Sequence, residues 1–201
     1  AVFSAFVILF FLLLAVCAPL LTPYSFEDQD LLSRLSAPSA KHLLGTDELG
    51  RDVLTRLLYG ARVSLAVGII PTIASMVIGV LLGMISGYVG GIVDAVIMRL
   101  ADVVLSFPSL LLSMVIMYTL GDGITSIFIA LAITSWAGVA RVIRSETLTL
   151  RETEYVEAAR SMGVKDFTII LRHVFPNCIP SLIVLFTLDV PSAILSESAL
   201  S

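Results

Sequence analysis

Asp189 is the residue of this chain whose position most needs a chemical explanation. It lies about fifteen residues into an apolar run that begins at Val174, where a carboxylate is costly unless it faces water or a partner. As a candidate pore residue it would meet a cationic group such as a peptide amine. A contact with another subunit, or a place near the far headgroups, accounts for it as well, and Glu197 near the same membrane face poses the same choice. The second cluster is of another kind. Glu157-Ala158-Ala159 and Gly163 fall in a polar, charge-rich, helix-forming stretch, residues 149–180, between two apolar blocks long enough to cross a membrane. A helix with small residues at that place is suited to docking, not to bond-making.

Groups that could react are scarce. Two histidines, His42 and His173, and two cysteines, Cys17 and Cys178, show no HExxH or CxxC spacing, so no metal site is expected. Both cysteines lie in or beside apolar windows and read as small helix-packing residues. No GxxxxGK[ST] loop is present, so the chain has no means of its own to hydrolyse ATP. No catalytic residue and no bound cofactor is expected. A net charge of −4 argues against nucleic acid, which calls for a basic stripe.

The positioning elements follow from hydropathy. Of 201 residues 58% are hydrophobic and 14% charged, with a mean hydropathy of +1.02, far from the roughly 25% charged soluble average. Charge-free windows run over 1–26, 65–93, 103–121, 123–140 and 174–188, the last continuing past Asp189 to Ser196. Each is continuously apolar, not alternating, and close to the ~20 residues a spanning helix needs. The expected fold is an all-α polytopic membrane bundle with five spans.

Between the first two spans, residues 23–61 form a polar loop. Thr46-Asp47-Glu48 reads as a helix start, and Leu49, Val53, Leu54, Leu57 and Leu58 share a face with Asp52 and Arg56 as an i,i+4 pair on the other. This predicts a short amphipathic helix at the membrane surface. In the second span Gly79, Gly83 and Gly87 make a small-residue stripe for close helix packing, and Pro71 is expected to kink the helix. Arg99 and Asp102 are spaced to neutralise one another at the start of the third span, and Phe107-Pro108 breaks the helix within it. A turn at 120–123, with Asp122 as its cap, makes spans three and four antiparallel.

Residues 141–173 hold six Lys/Arg and five acids. The first loop carries Arg34, Lys41, Arg51, Arg56 and Arg62, so the positive-inside rule barely separates the two sides. Thr149 to Glu152 fits a capping box, Tyr155, Ala159 and Met162 fall on one stripe, and Gly163 fits a helix stop before a second helix over 164–174.

The run Glu-Tyr-Val-Glu-Ala-Ala-Arg-Ser-Met-Gly at 154–163, followed after nine residues by His-Val-Phe-Pro-Asn, resembles the EAA loop of permease subunits of bacterial ABC importers. The segment His42-Leu43-Leu44-Gly45-Thr46-Asp47-Glu48-Leu49-Gly50-Arg51-Asp52, with Arg56, Tyr59-Gly60, Arg62 and Ser64-Leu65, is similar to the corresponding segment of the C-type permeases of dipeptide, oligopeptide and nickel importers. The resemblance covers nearly the whole chain. It implies a bundle of ABC importer permease type in the inner membrane, with residues 1–62 as first span, external loop and interfacial helix. Residues 63–201 would be the permease domain, with a coupling loop at about 144–177. It also implies a second permease subunit, two ATP-binding subunits that use the ATP, an external substrate-binding protein and surrounding lipid. Glu157, Ala158, Ala159, Gly163, Tyr155 and Met162 would form the surface that couples to the ATPase. Family members have a sixth span, so the resemblance implies a truncated chain. An ion-coupled secondary transporter is the rival reading, and would be expected to show internal repeats and several buried acids.

Overall fold

The computed structural model describes the backbone of residues 2–200 and the side-chain surroundings of residues 6–200. The chain divides into two compact units, Ala1–Ala66 and Val67–Ser201. Among the described residues there is no named strand, only an isolated bridge between Thr46 and Asp52.

In the first unit, α1 (Val2–Val16) is followed by the single turn α2 (Ala18–Leu21). The loop beyond is organised by three aspartates. Asp30 accepts from the Leu32 amide and the Ser33 hydroxyl and caps a 3-10 turn, Leu31–Ser33. Asp47 accepts from the amides of Leu49 and Arg51 and from the guanidinium groups of Arg51, at 2.8 Å, and Arg56, at 2.6 Å. Asp52 accepts from both the amide and the hydroxyl of Thr55, each at 2.8 Å, and so caps the next helix. Gly50 is obligatory here, because at φ +74° a Cβ would lie 1.8 Å from the Asp30 carbonyl oxygen.

These bonds correct the expected amphipathic helix. Residues 46–52 form an Asx-type turn instead of a helix start, since the Asp47 side chain competes for the local amides. Helix α3 begins at Val53 and runs to Val89 without a separate surface segment. The expected Asp52–Arg56 pair is likewise replaced: Asp52 pairs with His42 at 3.0 Å and Arg56 with Asp47.

In the second unit α3 lies on α6 (Ile124–Arg151) through the glycine stripe. A Cβ at Gly79 would sit 2.6 Å from Val139 Cβ, one at Gly83 2.6 Å from the Ala140 carbonyl oxygen, and one at Gly87 2.8 Å from the Arg144 carbonyl oxygen. The α3 helix carries Pro71 in its interior. Helix α4 (Gly91–Ser106) starts at the positive-φ pair Gly90-Gly91 and also packs on α6, where Ala101, Trp136, Ala137 and Ala140 form a small core. At Phe107-Pro108 the chain turns by 93° into α5 (Ser109–Leu120). The expected third span is therefore two helices at a corner, and its charged start belongs to α4. Asp102 pairs with Arg141 of α6 at 2.8 Å, not with Arg99.

Past the turn at Gly121 and Gly123, both at positive φ, α5 lies against α6 as expected. Helix α7 (Glu154–Ser161) follows a break at Glu152-Thr153. Thr149 is inside α6 and donates to the Ser145 carbonyl, so the expected capping box is absent; Thr153 occupies the position before α7. The last segment begins with α8 (Asp166–Ile169), widens into a π turn over Ile170–Val174, and continues as α9 (Phe175–Leu200). Pro176 has no N–H to give to the i−4 carbonyl, which accounts for the wider register just before it. The expected second helix of the loop is thus the foot of the last span.

Among the described residues three segments are long and apolar enough to cross a membrane: α3, α6 and 166–200. The bent α4–α5 pair makes a fourth if counted as one span, while α1, at fifteen residues, is short of the ~20 required.

Candidate functional site

Helix α7 is anchored by two residues and displays the rest. Val156 and Ala159 are buried with Met84 and Tyr88 of α3, Val139 and Ile143 of α6, and the foot of the last span. Gly163, at φ +78°, closes α7 with a Schellman arrangement in which the amides of Gly163 and Val164 donate to the carbonyls of Arg160 and Ala159. Nothing crowds a Cβ at Gly163, so its backbone conformation, not space, calls for glycine.

The structure separates the coupling residues that the sequence grouped. Tyr155, Glu157, Ala158 and Met162 are exposed, Met162 at 77%. Ala159 is 4% exposed and faces the core, so it contributes packing and not contact surface. The inward stripe is Val156 and Ala159, and not Tyr155, Ala159 and Met162. A helix of eight residues turns 100° per residue, and only two of its positions reach this core.

A groove of about 640 Å³ runs beside α7, lined by Tyr88, Arg151, Glu157, Arg160 and Asp166 among others. The Tyr88 hydroxyl donates to Asp166 at 2.8 Å, and Arg160 donates to that hydroxyl at 3.4 Å with its guanidinium 5.5 Å from the ring centre. The hydrogen bond to Tyr88, then the charge of that group, raises the Arg160 guanidinium above its ordinary value. Arg151 donates to the Gly87 and Tyr88 carbonyls at the end of α3. Sequence reading missed this knot because Tyr88 and Asp166 are 78 residues apart. The signal present was an aromatic with a polar tip at the end of an apolar run.

Charges at the same end are neutralised across helices. Arg144 makes a bidentate bond to Asp94, which also accepts from Ser86. Glu146 is not paired with a charge: one of its oxygens accepts from Ser181 of α9, and the other is buried with no hydrogen-bond partner among the described residues.

Asp189 sits elsewhere, on a cavity of about 140 Å³ where α3, α5, α6 and α9 meet. Its lining is rich in hydroxyls, among them Thr72, Ser113, Thr134, Ser135 and Ser192. The structure does not bring Asp189 near α7: the cavity and the groove beside α7 share no residue.

A bundle with a broken span, a short amphipathic helix held outside the apolar segments and a polar cavity within them is the architecture of a membrane transport subunit. Residues 79–201 match the family described as binding-protein-dependent transport system inner membrane component, and residues 1–38 match the N-terminal TM domain of oligopeptide transport permease C. The chain belongs to the binding-protein-dependent transport family of inner membrane components. It is 43% identical over 201 residues to the dipeptide transport system permease protein of Bacillus subtilis, covering all of this chain and 63% of that protein. It is 39% identical over 202 residues to the glutathione transport system permease protein of Pectobacterium atrosepticum, and 38% over 201 residues to the oligopeptide transport system permease protein of Bacillus subtilis. Each of these covers all of this chain, with 67% and 66% of the respective relatives. The chain therefore spans about two thirds of the length of these relatives. The kinship lies with binding-protein-dependent permeases, and the ion-coupled reading finds no support in it.

Proposed function

We propose that this chain is the permease subunit of an ATP-driven ABC importer in the inner membrane, forming half of a pore for dipeptides, oligopeptides or a related small solute such as a nickel chelate. A second permease subunit completes the pore, two ATP-binding subunits supply the work, and an external binding protein delivers the solute. The observation that carries this reading is the mounting of α7. Its inner residues are fixed in the core shared by α3, α6 and the last span, while Tyr155, Glu157, Ala158 and Met162 are left outward.

In this reading the outward face docks on the ATPase. Glu157 pairs with a basic group there, Ala158 permits close approach, and Gly163 sets the angle between α7 and the last span. ATPase closure moves α7 as a rigid body and tilts the helices that grip it. Because Tyr88 is bonded to Asp166 and approached by Arg160, α3 is drawn into that motion together with α6 and α9.

The test is affinity purification of the protein from its native membrane in mild detergent, with partners identified by mass spectrometry. An ATPase and a second permease should be recovered from wild type and lost from Glu157→Lys and Gly163→Pro. Recovery unchanged in both variants, with uptake unchanged, would refute the coupling role.

A further inference from the structure

The cavity around Asp189 has a chemical character that its hydroxyl bonds define. Thr72 donates to the Gly68 carbonyl at 2.6 Å, Thr134 to the Ala130 carbonyl at 3.0 Å, and Ser192 to the Leu188 carbonyl at 3.1 Å. In each, the single hydroxyl proton is spent on the residue's own helix. What these three residues present to the cavity is therefore oxygen lone pairs. Asp189 adds a carboxylate that makes no hydrogen bond and no ion pair among the described residues, and no Lys, Arg or His lines the space. A carboxylate and a set of acceptor oxygens inside an apolar bundle are complementary to a cation that brings its own donors.

We propose that this cavity is a binding site for a primary ammonium group, such as the amino terminus of a peptide, on the path through the subunit. The proposal rests on the permease reading above and names the group that the pore recognises. An ammonium carries three N–H donors, which match one Asp189 oxygen and two of the hydroxyl oxygens. At roughly 10–15 Å³ per water-sized occupant, about 140 Å³ takes about nine to fourteen such occupants, enough for a charged head and the first residue or two but not a long peptide. A longer solute would therefore enter the site with one end only. A divalent metal is a poorer fit, because among the described residues no group of three His, Cys, Asp or Glu side chains could hold one. The corner at Phe107-Pro108 sets the start of α5 beside the cavity, and broken helices are where transporters build sites of this kind.

Two measurements test it. In cells carrying the whole transporter, uptake of a dipeptide with a free amino terminus should fall about tenfold or more in Asp189→Asn, as expected for loss of a charged hydrogen-bonded contact. It should be partly restored in Asp189→Glu and remain at the wild-type rate in the loop variant Asp122→Asn. Uptake by Asp189→Asn equal to wild type overturns the proposal. Independently of transport, the purified wild-type complex should show a saturable rise in melting temperature with methylammonium that tetramethylammonium, which has no N–H, does not give. Equal responses to the two cations overturn the proposal even if the variants fail to assemble. Wild-type cells with no ATP-driven peptide uptake would instead refute the permease reading, and the melting comparison would still judge the cavity.

Discussion

Replacing Gly83 by alanine tests the close approach of α3 and α6 with a single methyl group. A Cβ there meets the Ala140 carbonyl oxygen at 2.6 Å and Ile143 Cβ at 3.0 Å. The first obstacle is backbone, so no rotamer change relieves it, and the helices must separate. Gly60 on the same helix is the internal control, since a Cβ at that position has nothing within 4 Å. Both changes gain about 0.5–1 kcal/mol from the lower backbone entropy of alanine in a helix, and that gain cancels in their difference. Overpacking costs about 1–3 kcal/mol, and a clash with backbone belongs in the upper part of that range, about 2–3 kcal/mol. At roughly 2–4 °C per kcal/mol for a chain of this size, Gly83→Ala should melt about 4–12 °C below Gly60→Ala in the same detergent. Gly60→Ala itself should melt at or slightly above wild type. If Gly83→Ala melts with or above Gly60→Ala, the helices do not meet at the glycine stripe and the packing described here is wrong.

Two further outcomes are expected. Tyr88→Phe keeps the ring in the core but removes the hydroxyl between Asp166 and Arg160; at about 1 kcal/mol for such a bond, amide exchange in α7 should quicken about fivefold, and unchanged exchange would show that the knot does not hold the helix. In the first loop, partial burial pulls the Asp47 carboxyl upward, but the amides of Arg51 and Leu49 and the guanidinium groups of Arg51 and Arg56 outweigh it and hold it well below the usual carboxylate range. A carboxylate depressed in the folded state stabilises the fold above its unfolded value of about 3.9, and that contribution is lost as pH falls through the lower folded value. Proteolysis of residues 27–52 should therefore stay slow down to about pH 4 and accelerate below it in wild type. Asp47→Asn should cut fast at every pH, and a pH-independent wild type would refute the role of Asp47.

How much of this was legible depended on the reach of each interaction along the chain. The glycine stripe, the helix stop at Gly163 and the break at Phe107-Pro108 are set within one or two turns of helix, where residue type fixes what the backbone can do. Each is present as read, although the break proved to be a 93° corner. Charged residues misled where hydropathy windows put them at the ends of spans, next to their sequence neighbours. Asp102 was matched to Arg99 three residues away, and its partner is Arg141, thirty-nine residues on; Asp94 finds Arg144 fifty residues on. Asp94 and Arg144 are partly buried, where a good long-range partner is worth more than a nearby one in water, whereas Asp102 and Arg141 stay more than half exposed and meet because α4 packs on α6; neither contact is contained in a local pattern.

Helix starts erred for a related reason. Threonine and aspartate bond their own neighbourhood as readily in a turn as at a cap. Asp47 does so inside a turn and Thr149 inside α6, while the cap before α3 is Asp52, one residue earlier than its apolar face begins. The same competition gives the Asp189 cavity its character. Because Thr72, Thr134 and Ser192 return their protons to their own helices, three of the hydroxyls that read in sequence as neutral are, in three dimensions, acceptors in a cavity that holds one unpaired acid. Asp189 was visible in the sequence as an anomaly; what turns the anomaly into a binding site is the direction of hydroxyl bonds on three other helical turns.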